Sequence, residues 1–370
     1  MRRRDFLKKS AGAALGGAAL GGCSGEGERA PAVHTQRNVQ WRLVSSFPKG
    51  LDTIFGGAQV LAERVETLSE GRFEIRPYAS GEIVPGLQVL DAVQQGTVQA
   101  GHTACYYFTG KNQALAFDTA MPFGLTSRQQ AAWLSQGGGH ELLEGVFADF
   151  GCVSFPAGNT GAQMGGWFKR EVETVADLQG LKMRIPGLGG QVLSRLGVTV
   201  QVLAGGDIYP ALERGAIDAT EWVGPHDDEK LGFHRIAKYY YYPGWWEPGP
   251  NLSALVNRKA WDELPSSYQE IFKSAAHEAH VTMLNRYDAR NPAALERLAA
   301  SGTELRPFSK EILDACRRTS EELMAEHAAA DPTYARIHEA WKKFRAESYR
   351  WFGTSEQAFA AYSFGGQSSG

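Results

Sequence analysis

Two distant stretches of the chain follow one pattern, and that pattern restricts the fold more than any other feature. VLDAVQQGTVQAGH (residues 89–102) and IYPALERGAIDATE (208–221) each read as a helix, a glycine stop and a strand, with Ala92/Ala211, Gly96/Gly215 and Ala100/Ala219 in register. A repeated helix–strand unit implies two similar α/β halves, and two such halves leave a cleft between them. Ligands of open α/β sheets bind beyond the carboxyl ends of the strands. That rule directs His102 to Tyr107 from one half, and Glu221 and Trp222 from the other, toward the cleft.

The rest of the pattern agrees. WRLVSSF (41–47) reads as a strand, Asp52 to Ser69 as a helix closed by Gly71, and FEIRPYA (73–79) as a strand; Gln88 to Gln95 is a helix, and TVQAGHTACYYF (97–108) a strand running into a loop. In the second half KMRIPG (182–187) and TVQVLAG (199–205) read as strands, Gly190 to Leu196 and Asp207 to Arg214 as helices, and AIDATEWVGP (216–225) as a further strand. The expectation is an α/β chain with a mostly parallel sheet in each half. A chain of 370 residues, 43% of them hydrophobic, can bury cores for two domains.

The N-terminus reads as an export signal. Arg3-Arg4 followed by Asp5, Phe6, Leu7 and Lys8 resembles the twin-arginine signal, and Ala11 to Gly22 supply a short apolar stretch behind it. LGGC (20–23) resembles a lipobox, which would make Cys23 the lipidated first residue of the mature chain; plain cleavage further on is the alternative. A net charge of −3 gives no hint of nucleic-acid binding. Cys105, Cys152 and Cys316 show no CxxC spacing and read as core residues rather than a disulfide framework or a zinc site.

KYYYYPGWWEPG (238–249) sets one carboxylate, Glu247, inside a dense aromatic block. A carboxylate buried among aromatic rings is costly unless it has a partner. Together with GHTACYYFTGK (101–111), GNTGAQMGGWF (158–168), DLQGLKMRIPGLGG (177–190) and LAGGDIYPALERGAIDATEWVGPHDD (203–228), this block resembles the solute-binding proteins of tripartite ATP-independent periplasmic (TRAP) transporters. Within them it is most similar to the branch that binds small 2-oxo and 2-hydroxy monocarboxylates. The resemblance runs from about residue 40 to the C-terminus; Cys105 departs from it, standing where a small residue is expected.

The resemblance implies a two-lobed α/β periplasmic binding protein fold, with a cleft between the domains, a hinge and a long C-terminal helical region. The corresponding division is an export signal and linker over 1–37, mainly domain I over 38–160, mainly domain II over 161–250, and a returning segment with C-terminal helices over 251–370. It places the ligand arginine of the family at Arg184, where a planar guanidinium would pair bidentately with a carboxylate; a structural salt bridge is the competing role. Glu221 and Glu247 beside Arg184 and a bound monocarboxylate would leave the site short of positive charge. A sodium or calcium ion held by Glu221, Glu247, the Gln163 amide and the Trp222 carbonyl would supply it. Asn159 would add a hydrogen bond to the substrate, Tyr106 and Tyr107 would close over it, and Trp245 and Trp246 would shape and dry the pocket. The competing reading makes the aromatic run a buried strand and Glu247 a loop residue near the surface. Implied partners are a small organic acid such as pyruvate or lactate and the TRAP membrane subunits.

Other constellations are weaker. PGLGGQV (186–192) tests as a dinucleotide fingerprint but has Val192 in place of the third glycine, and HEAH (277–280) is one residue short of HExxH and reads as a solvated helix face. Pro225 followed by Asp227, Asp228 and Glu229 reads as a helix start. His102 and His226 read as structural or hydrogen-bonding residues near the cleft. An exported hydrolase using Glu221 and Glu247 as a carboxylate pair is the second function class, disfavoured because Arg184 beside both would keep both ionised. Tyr334, Ile337, Trp341, Phe344 and Trp351 form a stripe that packs on its own domain or serves a homodimer.

Overall fold

The first strand, β1 (Val39–Ser45), lies between β2 (Phe73–Tyr78) and β3 (Ala100–Thr103), parallel to both. Its alternate residues Trp41 and Leu43 pair with Ile75 and Ala100, and these side chains are buried against helix Ile54–Leu68 and the long helix Ser266–Ala300. With β4 (Cys152–Asn159) and β10 (Asn251–Asn257) they make a five-stranded sheet in the order β2-β1-β3-β10-β4. The second sheet has six strands, β5 (Gly166–Phe168), β6 (Lys182–Arg184), β7 (Thr199–Gln201), β8 (Ala219–Thr220), β9 (Tyr239–Tyr242) and β11 (Glu304–Pro307), in the order β11-β9-β5-β8-β6-β7. The computed structural model describes residues 37–365, so the arginine pair and Cys23 lie outside the described residues. No described helix is long and apolar enough to cross a membrane.

Each sheet is parallel apart from one strand. β10 runs antiparallel to β3 and β4, and β5 runs antiparallel to β8 and β9. These are the strands that follow the two direct strand-to-strand crossings, β4 to β5 and β9 to β10. At each the chain leaves one sheet at the carboxyl ends of its strands and arrives at the same end of the other, so the first strand there runs the other way; β11 is reached instead through the long helix and runs parallel to β9.

The glycine stops of the repeated unit behave alike. Gly96 and Gly215 both have positive φ (70° and 74°), and the amides just beyond them, Thr97 and Ala216, bond back to the carbonyls of Ala92 and Ala211, each at 2.9 Å. A left-handed residue closing a helix in this way favours glycine. The expected strand over 97–108 is shorter than its sequence pattern: it ends at Thr103, the last residue paired with β10, and Cys105–Phe108 form a single helical turn. AIDATEWVGP likewise contributes only Ala219–Thr220 to the sheet, and the chain then turns into helix Pro225–Leu231 with proline in its first turn.

Two expectations need correction. HEAH is not a solvated face: His277 is exposed, but His280 is buried, and burial, His277 and a bond to the Gly158 backbone together leave its imidazole at about 4. The long helix there packs along β4, and the face that carries Ala276, His280 and Met283 points inward. The C-terminal stripe is also divided. Tyr334, Ile337 and Trp341 are buried, the first and last against Phe117, whereas Trp351 is 63% exposed.

Candidate functional site

Arg184 and Glu221 meet because their strands are parallel neighbours that end together. β6 and β8 pair Arg184 with Thr220, and the Glu221 amide donates to the Arg184 carbonyl at 3.3 Å. Both side chains therefore leave the carboxyl edge of the sheet toward the cleft. Arg184 Nη1 forms an ion pair with Glu221 Oε1 and donates to the Glu221 carbonyl at 3.1 Å, and Nε donates to the Leu203 carbonyl at 3.1 Å. The guanidinium carbon lies 5.3 Å over the Trp222 ring. Nη2 has no hydrogen-bond partner, although Arg184 is only 1% exposed.

Gln163 and Glu247 come from the two segments that cross between the sheets. These run side by side: Thr160 N donates to Pro250 O at 3.3 Å, Gln163 N to Glu247 O at 3.2 Å, and Gly244 N to Gln163 O at 2.9 Å. A side chain at Gly244 would put its Cβ 2.7 Å from the Gln163 carbonyl, so glycine is what permits the approach. The two indoles brace the Glu247 loop, Trp245 stacked on Phe123 at 5.2 Å and Trp246 packed against the Gly189 backbone. Glu247 is 2% exposed, which excludes the reading of a loop residue near the surface.

Tyr106 comes from the other half, in the helical turn after β3, and packs on Gly187 at the start of helix Gly187–Arg195; a Cβ there would lie 3.2 Å from Tyr106 Cγ. Tyr107 stands edge-on to it at 5.0 Å, and Phe47 stands edge-on to Trp222 at 6.4 Å. The site is thus walled by both halves. Asn159 stands at the end of β4, but its amide is engaged with backbone: Oδ1 accepts from Gly161 N at 2.9 Å and Nδ2 donates to Gly249 O at 3.2 Å. One N–H is left for a ligand, and the side chain's other contacts lock the crossing. His102 is buried and neutral, its imidazole held at about 4 by burial against a bond to the Ala157 backbone.

Burial controls the charge of the carboxylates. It raises Glu221 to about 7, with Arg184 pulling down and Asp228 pushing up, and it raises Glu247 well above the carboxylate range, with Glu221 adding to the effect and Tyr106 and Arg184 opposing it. The expectation that Arg184 keeps both acids ionised is therefore overturned for the protein by itself: desolvation outweighs the one cation present. Burial alone would lower Arg184, but Glu221, Tyr107 and Tyr106 reverse this and raise it, so the guanidinium stays charged.

Three oxygen acceptors are left over. Glu221 Oε2, Glu247 Oε2 and Gln163 Oε1 are buried without a hydrogen-bond partner. Among the described residues no group of three or more His, Cys, Asp or Glu side chains could hold a metal ion. An all-oxygen set of two acids and an amide instead suits a hard cation, sodium or calcium, rather than zinc or copper.

The sign of the pH dependence follows. Ionisable carboxyls raised in the folded protein bind more protons there than in the unfolded chain, so metal-free stability is greatest below their unfolded value and is lost as pH rises toward 7. A hard cation binds the ionised form and reverses this. The difference in melting temperature between calcium-loaded and chelator-stripped protein is expected to widen from pH 5 to pH 8, and to narrow sharply in Glu221→Gln; a gap independent of pH in the wild type contradicts the charge assignment.

The family profile of bacterial extracellular solute-binding protein, family 7 (DctP), matches residues 44–331. The chain belongs to this family. It is 54% identical, over 99% of its length and 100% of the relative's, to a monocarboxylate 2-oxoacid-binding periplasmic protein of Nostoc sp.. Among solved structures, a TRAP transporter solute-binding protein of Bordetella bronchiseptica, described as a dimer with calcium and picolinate in its active site, is 47% identical with a TM-score of 0.88, covering 90% of this chain and 98% of that one. A TRAP periplasmic solute-binding protein of Pseudoalteromonas atlantica with bound sodium and pyruvate is 39% identical with a TM-score of 0.85, covering 87% and 98%.

For a family 7 protein, one residue that holds the candidate site in place escaped the sequence reading. Asp228, read there only as an acid near a helix start, ties down the turn that carries Glu221 and Trp222. Its Oδ1 accepts from the amides of Val223 and Gly224 at 3.2 Å each, and its Oδ2 from Trp167 Nε1 at 3.0 Å and the Tyr240 hydroxyl at 2.7 Å. Tyr240 and Trp167 stack at 4.0 Å, so part of the aromatic run braces the family's binding site from behind rather than lining it. An acid immediately before an exposed-looking EKL stretch carried no signal of this in the sequence.

Proposed function

We propose that this protein captures a small 2-oxo or 2-hydroxy monocarboxylate, pyruvate or a close analogue, together with a calcium or sodium ion, and delivers it to TRAP-type membrane subunits. The observation that carries the reading is the buried set of unpartnered groups: one guanidinium N–H edge, Arg184 Nη2, and three oxygens, of Gln163, Glu221 and Glu247. Such a set is complementary to an anion and a cation held side by side. In this reading Arg184 takes the ligand carboxylate. Gln163, Glu221, Trp222 and Glu247 hold the cation, which offers its remaining positions to one carboxylate oxygen and the neighbouring 2-oxo or 2-hydroxy oxygen. Asn159, Tyr106 and Tyr107 complete the contacts. The ligands of the Nostoc, Bordetella and Pseudoalteromonas proteins support this substrate class.

The function is binding without turnover. Glu221 is already tied to Arg184, and the relatives with bound acids are described as solute-binding proteins. The proposal includes a periplasmic location with a lipid anchor at Cys23, and domains over 38–160 and 161–250 that close about the crossing segments, with 251–370 returning to both. It also includes a homodimer through the C-terminal helix, supported by the exposure of Trp351, Phe359, Tyr362 and Phe364 among the described residues.

The test is native mass spectrometry of protein purified without chelators, followed by chromatography of pyruvate and lactate incubated with it. A bound acid and one calcium or sodium per chain, in a dimer, with both acids recovered unchanged, is expected. Consumption of either acid would show turnover and contradict binding alone, and absence of both acid and cation at saturating pyruvate would remove the capture function.

A further inference from the structure

We propose that Asp52 is a positioning residue for ligand retention: an inter-lobe clamp that holds the closed form through His226, Lys230 and Arg290. This rests on the capture function proposed above, and nothing in that function requires it.

Asp52 belongs to the half built on the first sheet, immediately before helix Ile54–Leu68. Its partners come from elsewhere. His226 and Lys230 lie on helix Pro225–Leu231, which follows directly from the turn bearing Glu221 and Trp222 of the second half. Asp52 Oδ1 receives His226 Nε2 at 3.1 Å and forms an ion pair with Lys230; Oδ2 receives Arg290 Nη1, from the long helix, at 3.0 Å. Arg290 Nη1 also donates to Thr53 Oγ1 at 3.0 Å, and the His226 backbone amide donates to Asn291 Oδ1 at 3.1 Å. All three partners of this one carboxylate therefore come from elements other than its own.

A single surface ion pair contributes little, but one carboxylate shared by three donors in a network differs. Burial pushes the Asp52 carboxyl up, but Lys230, His226 and Arg290 together outweigh it and hold the group at about 2, so it stays charged at any physiological pH. The neighbouring acid Glu229 does not compete for these cations, because it is paired with Arg297 at 2.7 Å. Nearby, Phe47 of the first half meets Trp222 of the second. Asp52 thus couples the first half to the helix that trails the ligand-binding turn, without touching ligand. Separation of the halves must break its bonds to helix Pro225–Leu231, and so their energy is available only to the closed form.

The experiment uses Asp52→Asn, Lys230→Gln and the double variant in the full chain. Pyruvate with calcium is the probe for stopped-flow kinetics, and spin labels at Glu74→Cys on β2 and Arg214→Cys at the end of helix Gly205–Glu213 of the second half, both exposed positions, report the inter-lobe distance. Pyruvate release is expected to be about tenfold faster in Asp52→Asn with association changed by less than about threefold. The double variant is expected to release no faster than Asp52→Asn alone, since both substitutions break one interaction. Ligand-free melting temperature should move by less than about 2 °C, as for an exposed site. The distance distribution should broaden toward the open form with and without pyruvate. Unchanged distances together with an unchanged release rate overturn the clamp, as does an equal fall in melting temperature with and without ligand, which marks a purely structural residue. Failure of the wild type to bind pyruvate removes the substrate assignment instead, and the ligand-free distances then decide the clamp.

Discussion

Arg184→Ala is expected to weaken pyruvate binding by roughly a hundred- to several-thousandfold, about 3–5 kcal/mol by analogy with broken buried ion pairs. The reason lies in the divided use of the guanidinium. Nε and Nη1 are committed to the Leu203 carbonyl and to Glu221, which fixes the plane of the group, and Nη2 is left without a partner in a buried site. An arginine so held is pre-organised for an anion, and little side-chain entropy remains to be lost on binding. Without it the ligand carboxylate would enter a buried site next to two acids with only a metal to offset them. Glu221 would respond by holding its proton more tightly, so the variant should still fold. Arg184→Lys keeps the charge and loses the fixed fork, and should recover only part of the affinity. Isothermal calorimetry decides: affinity for pyruvate within about threefold of wild type in Arg184→Ala would remove Arg184 from the ligand contact.

Glu247→Gln is expected to act through the cation. Acid and cation bound side by side must raise one another's affinity by the same factor, and a coupling of about 1–3 kcal/mol, roughly 5- to 150-fold, is typical. Titrating pyruvate at several concentrations of calcium, and separately of sodium, should show this dependence in the wild type. Glu247→Gln retains the shape and one oxygen donor but loses the charge, so it should need far more cation for the same acid affinity. Its metal-free melting temperature should hardly change or rise, because burial already disfavours the ionised form of Glu247 there and the substitution removes that cost. Arg184→Ala, by contrast, should lower acid affinity at every cation concentration. Pyruvate affinity independent of both ions, after trace metal has been shown absent, would leave Glu247 without the proposed part.

Closure supplies the remaining physical coupling. Tyr106 on Gly187 and Phe47 on Trp222 are contacts between halves that flank the site, so ligand, cation and lobe contacts favour the same form. Asp52 would add to them from outside the pocket.

Much of this was legible in the chain because it depends on local rules. The glycine stops at Gly96 and Gly215 announce themselves, since a left-handed helix end favours glycine and the bond back to Ala92 or Ala211 is set by spacing alone. From the repeated unit follow two α/β halves and a cleft, and the positions of Arg184 and Glu221 at strand ends follow from where the strands stop. The aromatic run around Glu247 signalled burial correctly.

What tertiary structure decided was which groups share a dielectric and which share a partner. Arg184 next to two acids looked sufficient to ionise both, yet desolvation depends on everything packed around them, and it prevails. Asp228 and Asp52 look alike in the sequence, each an acid near a helix start. One is buried beneath the binding turn with Trp167 and Tyr240, and the other is drawn across to Lys230 from a different half. His280 likewise turned inward because β4 lies along its face of the helix. Spacing along a chain specifies which side of an element a residue occupies; only the packing of distant segments specifies what that side meets, and the free energy of a charge is set by what it meets.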